Sequence, residues 1–232
     1  MNQITIPGNR EDTILFIKDL ILKTAREEID KKGFFSIALS GGSTPNAVYK
    51  SLSKEKNAID WSRVKLFWGD ERAVPCDHEE SNYKNAMDAG LSTLPIKEIF
   101  RMEAERKDID QAACDYEMIL KKETNASLDL LLLGLGDDGH TASLFPHTAA
   151  LTKKDRLVVA NFVPEKNQYR MTLTYPAIAL AKKRVLIALG DGKASIVKKV
   201  IIDKKACLPV QKIEDMLWIL DTAASQKLGK QK

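Results

Sequence analysis

The chain has 232 residues, 44% hydrophobic and 29% charged, a globular balance that excludes a disordered or low-complexity chain. A chain of this size buries a core without disulfide or metal staples, so one α/β domain spanning residues 1–232 is expected. Its 36 basic and 32 acidic residues leave a net charge of +4, too small and too interspersed for a nucleic-acid-binding stripe but favourable for meeting an anionic small molecule.

The densest basic groupings are Lys182-Lys183-Arg184, Lys198-Lys199 and the Lys-rich tail from Lys227, and they read as solvated helix ends and a terminus. Cys76, Cys114 and Cys207 are odd in number and widely spaced, which fits a reducing compartment and argues against a zinc cage. No signal-peptide pattern opens the chain, and no apolar run approaches the roughly 20 residues of a spanning helix. A cytoplasmic protein is expected, with neither membrane nor nucleic acid as a partner.

In chain order, 11–32 reads as an amphipathic helix, with Ile14, Ile17, Ile21, Leu22 and Ala25 at helical spacing and Gly33 as its stop. A buried strand at 34–39 runs into Ser40-Gly41-Gly42-Ser43-Thr44-Pro45, and a helix follows at 46–52 with Pro45 suited to its first turn. A strand at 64–68 ends in Gly69-Asp70-Glu71-Arg72. Helices are expected at 81–91 and 108–123. The most apolar run, 128–133, reads as a central strand opening into a loop at 134–146. Strands at 157–162 and 170–174, a short helix at 175–180, a strand at 185–189, a helix from Gly190-Asp191-Gly192-Lys193 to about 202, and a strand at 216–220 complete the pattern. Strand–loop–helix units of this kind predict a mainly parallel, doubly wound, Rossmann-like sheet with helices on both faces. Four glycine-containing loops then fall at strand carboxyl ends, the edge where such sheets bind ligands.

Those loops carry the chemistry. Two glycines and two hydroxyls at 41–44, ahead of a helix, suit an anion cradle, and equally a tight turn with an N-cap from Ser43 or Thr44. Gly134-Leu135-Gly136-Asp137-Asp138-Gly139 spells the dinucleotide Gly-x-Gly-x-x-Gly, but the partner acid expected about 20 residues on, at the end of a second strand, has no clear candidate, and His140 sits where the phosphate-binding helix should begin. Asp138-Gly139-His140 is more informative: a histidine exchanges protons near neutral pH, and a carboxylate two residues away can orient it. Neither a second His nor a Cys stands at metal-ligand spacing, so no metal is expected. Asp70 and Arg72 past one strand, and Arg170 and Lys193 near others, can hold a dianion or can be surface charges. No Gly-x-Ser-x-Gly elbow supports a serine hydrolase. A base, a carboxylate, an anion cradle and several cations suit attack by water, or proton shuttling, on a phosphorylated small molecule.

Several long motifs now resemble, in order, the 6-phosphogluconolactonases of the glucosamine/galactosamine-6-phosphate isomerase superfamily. They are residues 39–45; 67–72 with Val74-Pro75 and Ser81-Asn82-Tyr83; the run from Gly134 through His140-Thr141-Ala142-Ser143-Leu144-Phe145-Pro146; 170–174; and 190–193. The resemblance implies hydrolysis of 6-phospho-D-glucono-1,5-lactone to 6-phosphogluconate in the oxidative pentose phosphate pathway, without metal or organic cofactor, by a monomer or weak homo-oligomer. It implies His140 as general base, placed by Asp138. It implies substrate held by Gly41, Gly42, Ser43, Thr44, Asp70, Arg72, Arg170 and Lys193, the basic residues chiefly on its phosphate.

Two other readings compete. The glucosamine-6-phosphate deaminases resemble this chain in the Asp-Gly-His loop, but Phe145 stands where they carry a glutamate that serves the histidine. A non-catalytic sugar-phosphate effector domain would usually bring a DNA-binding segment, and only about ten residues precede the first expected helix.

Overall fold

The computed structural model describes residues 2–203 and 207–229. Ten strands run β1 (Gln3–Thr5), β2 (Phe35–Leu39), β3 (Val64–Trp68), β4 (Asp70–Arg72), β5 (Glu98–Ile99), β6 (Leu130–Gly134), β7 (Val158–Val163), β8 (Gln168–Leu173), β9 (Lys183–Ala188) and β10 (Met216–Leu220). The helices are α1 (Arg10–Lys32), α2 (Ser43–Leu52), α3 (Asn82–Asp88), α4 (Ile109–Thr124), α5 (Tyr175–Leu180), α6 (Ala194–Lys198) and α7 (Thr222–Ser225).

Seven strands form one sheet in the order β1-β10-β9-β6-β2-β3-β5, every neighbouring pair parallel. Helices lie on both sides of it, as the strand–helix alternation predicts. A parallel sheet covered on both faces needs strands apolar along their whole length. Leu130, Leu131, Leu132 and Leu133 of β6, all buried, therefore sit in the middle of the sheet. The chain moves outward from β2 to β3 and then returns to place β6 on the other side of β2. The order reverses between β2 and β6, and such a switch point opens a crevice at the carboxyl ends of both strands.

The mainly parallel expectation holds, and the exception is local. The strands expected at 157–162 and 170–174 leave the parallel sheet and form a second, antiparallel one, β4-β8-β7. Only Pro164–Lys166 and the left-handed Asn167 separate β7 from β8, a connection that permits a hairpin but no parallel crossover. The third strand, β4, is the acidic-basic stretch expected as a loop. Gly69 is the corner: its N–H donates to the Leu39 carbonyl at 2.9 Å in the large sheet, and its carbonyl accepts from Leu173 N–H at 2.9 Å in the small one.

Local chemistry sets the remaining boundaries. Asn9 caps α1 through Glu11 N–H at 2.8 Å and Asp12 N–H at 3.0 Å, and Gly33 closes the helix in a left-handed conformation, φ 90°. Helix α2 begins at Ser43, three residues before the expected start, so Pro45 falls in its first turn. Its N-cap is Gly42 with no side-chain bond, so neither Ser43 nor Thr44 supplies the cap. Helix α6 gives way to a π-helical turn at Lys199–Asp203.

At the opposite edge of the sheet, buried Asp129 ties β6 to β2, accepting the N–H and hydroxyl of Ser36, both at 2.8 Å. Lys32 and Lys182 pair with the same carboxylate at 2.9 and 2.8 Å. Lys182 also meets Glu28, and Lys183 meets Glu27. The Lys182-Lys183-Arg184 run is thus absorbed in ion pairs and backbone contacts. The end of the Lys-rich tail, 230–232, lies outside the described residues. Among the described residues no helix is long and apolar enough to cross a membrane.

Candidate active site

A cleft of about 440 Å³ opens at the switch point. Its lining includes Ser40 and Gly41 after β2, Asp70 and Arg72 of β4, Gly134 to Asp137 and His140 to Ser143 after β6, Phe145, Arg170 of β8, and Lys193 after β9. All four glycine-containing loops therefore contribute to one site. Gly42, Ser43, Thr44 and Asp138 do not line it directly.

The loop after β6 builds around the imidazole. Asp138 Oδ1 lies 2.5 Å from His140 Nδ1 and 3.1 Å from the His140 N–H. Burial raises the Asp138 carboxyl, but the N–H and ring of His140 outweigh it and hold the group below the usual carboxylate range. With Nδ1 engaged, Nε2 is the nitrogen left for the cleft. The loop closes on itself through Gly136 N–H to the His140 carbonyl, 2.8 Å, and Gly139 N–H to the Gly136 carbonyl, 3.0 Å. Gly139 has φ 81°, and a Cβ there would meet Leu208 at 2.8 Å. Phe145 is buried and stacks on His140, ring centroids 3.9 Å apart and planes 23° off parallel.

The loop after β2 is fixed from below. Tyr49 of α2 accepts from the Ser40 N–H at 3.0 Å and donates to the Ser40 carbonyl at 2.8 Å. Burial pushes the Tyr49 phenol upward, so it stays a neutral, two-way hydrogen-bonding group. The N–H groups of Gly136 and Gly139 are consumed inside their own loop, whereas those of Gly41 and Gly42 make no hydrogen bond with the described residues. The Gly41-Gly42 loop, beside the start of α2, thus keeps backbone donors that an anion can use.

Arg72 and Arg170 occupy the same cleft from the small sheet. Arg72 Nη1 donates to the Glu80 carbonyl. The Nε of each guanidinium is buried and has no hydrogen-bond partner among the described residues. Burial, then the charge of Arg72, depresses the Arg170 guanidinium below its usual range. Lys193 Nζ pairs with Asp137 at 2.7 Å, and that carboxylate is 85% exposed, so the ammonium is held by a group easily displaced.

Asp70 is differently placed from the other expected substrate contacts. Its Oδ2 accepts from Ser143 Oγ at 2.6 Å, and Asn82 Nδ2 donates to its backbone carbonyl at 2.9 Å. Ser143 N–H in turn donates to Thr172 Oγ1 at 3.1 Å, and its carbonyl accepts from Asn161 at 2.9 Å. Asp70 therefore anchors the 141–146 segment from beneath.

Neighbouring Glu71 faces away from the cleft and caps α3, accepting the Asn82 and Tyr83 N–H groups, each at 2.8 Å. Burial raises its carboxyl above the usual range. The cap seats Asn82 against Gly41, and Asn82 lines the cleft together with Glu80 and Lys166. These three were not among the expected site residues. The Ser81-Asn82-Tyr83 motif was a signal for Asn82. Lys166, on the β7–β8 turn, had none, because its approach depends on the second sheet. Among the described residues no three His, Cys, Asp or Glu side chains gather to hold a metal ion.

Residues 8–218 match the family described as glucosamine-6-phosphate isomerases/6-phosphogluconolactonase. The chain is 40% identical over 209 residues to a 6-phosphogluconolactonase of Chlamydia pneumoniae, covering 86% of this chain and 80% of that one. It is 37% identical over 241 residues to one from Synechocystis sp., covering 97% and 98%. The solved structure of the 6-phosphogluconolactonase from Trypanosoma cruzi is similar with a TM-score of 0.86 at 28% identity, over 99% of this chain and 97% of that one.

Proposed function

The chain belongs to the glucosamine-6-phosphate isomerase/6-phosphogluconolactonase family, and from that premise we propose that it hydrolyses 6-phospho-D-glucono-1,5-lactone to 6-phosphogluconate, the lactonase step of the oxidative pentose phosphate pathway. The observation that carries the reading is a histidine pinned at Nδ1 by Asp138, in one cleft with two guanidiniums whose Nε groups lack partners.

His140 Nε2 takes a proton from water, and the hydroxide formed attacks the lactone carbonyl. The tetrahedral oxyanion needs donors already in place, which the free N–H groups of the Gly41-Gly42 loop supply. The carbonyl re-forms as the ring C–O bond breaks, and the imidazolium returns its proton to the departing ring oxygen. Asp138 fixes the tautomer and stabilises the imidazolium, a contribution of about 10²–10⁴ in rate for the acid–base pair as a whole. Arg72, Arg170 and Lys193 grip the phosphate, remote from the reacting carbon, so its binding energy goes into orientation. Ser43 and Thr44, set back from the cleft wall, act through the helix terminus behind the Gly41-Gly42 loop, and Asp70 serves the substrate through the loop it anchors.

The apolar Phe145 ring on His140 disfavours the deaminase alternative, which needs a carboxylate there. In this reading residues 1–232 act as one cytoplasmic α/β unit, a monomer or weak homo-oligomer. Purified protein should hydrolyse freshly made lactone well above the buffer rate, and His140→Ala should remove most of that excess while far-UV circular dichroism is unchanged. An undiminished rate in the variant rules the mechanism out.

A further inference from the structure

The imidazole of His140 is confined on more sides than a base two residues from its carboxylate requires. Asp138 holds Nδ1 at 2.5 Å. Phe145 covers one face, its ring centroid 3.9 Å from that of the histidine. Gly136 lies against the ring as well: a Cβ added there would come within 2.1 Å of Nδ1, 2.2 Å of Cε1 and 2.7 Å of Cγ, which places it over a face rather than in the ring plane. Two groups that close cannot share a face, so Phe145 and the Gly136 backbone sandwich the ring.

Phe145 is itself rigid. It is 5% exposed, and the loop that carries it is fixed by the Ser143 bonds to Asp70 and Thr172. A buried aromatic ring with a defined stacking geometry holds a neighbouring plane more narrowly than a flexible aliphatic chain does. We infer that Phe145 is a positioning residue for the base: it fixes the plane of the His140 imidazole against Gly136, so that Nε2 keeps one direction into the cleft throughout the proton transfers. The inference rests on His140 acting as the base. It adds a separate prediction, that the aromatic wall changes turnover far more than substrate affinity: Phe145 lines the cleft, but the phosphate is held by the cations elsewhere in it.

The test compares Phe145→Leu, Phe145→Tyr and His140→Ala with the parent protein. Phe145→Leu should lower kcat by about ten-fold or more, since small displacements of a catalytic group cost that much, with KM unchanged within about two-fold. Phe145→Tyr keeps the stacked ring and should retain kcat within about three-fold. The chain has three histidines, so the His140 Cε1 proton is assignable by its loss in His140→Ala. That resonance should sit upfield in the parent and in Phe145→Tyr, under the ring current, and move downfield in Phe145→Leu.

Full kcat in Phe145→Leu overturns the inference, as does a Tyr variant that keeps the upfield resonance but is as slow as the Leu variant. If Phe145→Leu does not fold, the Tyr variant and its resonance decide. If His140→Ala itself keeps the parental rate, the base assignment fails and this inference falls with it. A dead His140→Ala beside a fully active Phe145→Leu sinks the positioning role alone.

Discussion

Arg72 and Arg170 are directly paired across the β4–β8 ladder, two guanidiniums in register, and burial and the charge of Arg72 together depress the Arg170 guanidinium. Like charges placed opposite each other in an antiparallel pair are destabilising, and here both Nε groups are also buried and unbonded. A dianion between them relieves both penalties. Inorganic phosphate should therefore raise the thermal unfolding midpoint of the parent, and Arg170→Gln should abolish most of that rise. The same variant should raise KM for the lactone by roughly ten- to a hundred-fold, the value of a charged hydrogen bond of about 1.5–3 kcal/mol, with a smaller change in kcat. An Arg170→Gln protein with parental KM would mean that the phosphate sits elsewhere.

The Asp138–His140 contact makes the opposite prediction about kcat and KM. Asp138→Asn keeps the shape of the loop but replaces a carboxylate acceptor by an amide that can present either an oxygen or an N–H to Nδ1. The imidazolium loses its counter-charge and the tautomer loses its bias. kcat should fall by about a hundred-fold, within the usual range for acid–base catalysis, while KM stays near the parental value. Steady-state kinetics on fresh lactone checks this directly, and a loss confined to KM would show that Asp138 binds substrate instead.

The parallel sheet was legible in the sequence because burial on both faces demands uninterrupted apolar runs, and β2, β3, β6, β9 and β10 each contain one. Strands β1 and β5, three and two residues long at the sheet edges, are too short for any periodicity to register. Strand β4 was hidden by its charges: Asp70, Glu71 and Arg72 read as a loop, yet each has a partner or a site that only the folded chain brings near. His140, Asp138 and the glycines were readable because their chemistry is local. The partnering of Asp70 with Ser143, 73 residues away, and the approach of Lys166 were not, since both depend on how the small sheet docks.

Gly41 marks a close approach that a single methyl group would break. A Cβ there would lie 1.8 Å from Asn82 Oδ1 and 2.4 Å from its Cγ. Asn82 cannot simply swing aside, because it is buried, bonded to the Asp70 carbonyl and seated at the N-terminus of α3 by Glu71. Gly41→Ala should cost about 1–3 kcal/mol in urea unfolding, as overpacking does, and should lower activity through the displaced cradle. Asn82→Ala alone removes a hydrogen bond and should also destabilise. The double variant should be more stable than the sum of the two losses predicts, because the collision is gone. Strict additivity would place the cost of Gly41→Ala in the backbone and not in the contact.

Glu117 makes one pH-dependent contribution to the stability of the fold. Its buried carboxylate on α4 accepts from Lys121 at 2.5 Å, Arg156 at 2.9 Å and the Leu157 N–H at 2.8 Å, and so ties α4 to the start of β7. Burial alone would raise its pKa, but Lys121, Arg156 and the backbone donors outweigh that and bring it down to about 2. A carboxylate whose pKa is depressed on folding stabilises the native state above its unfolded pKa and loses that contribution as pH falls through the folded value. For Glu117 the window runs from about 4.3, the ordinary glutamate value, down to about 2. Urea unfolding of the parent and Glu117→Gln should differ by on the order of 2–3 kcal/mol at pH 7, and the gap should close progressively as pH falls through that window. A difference that persists unchanged to pH 2 would assign the effect of the substitution to packing and hydrogen-bond geometry rather than to the carboxylate charge.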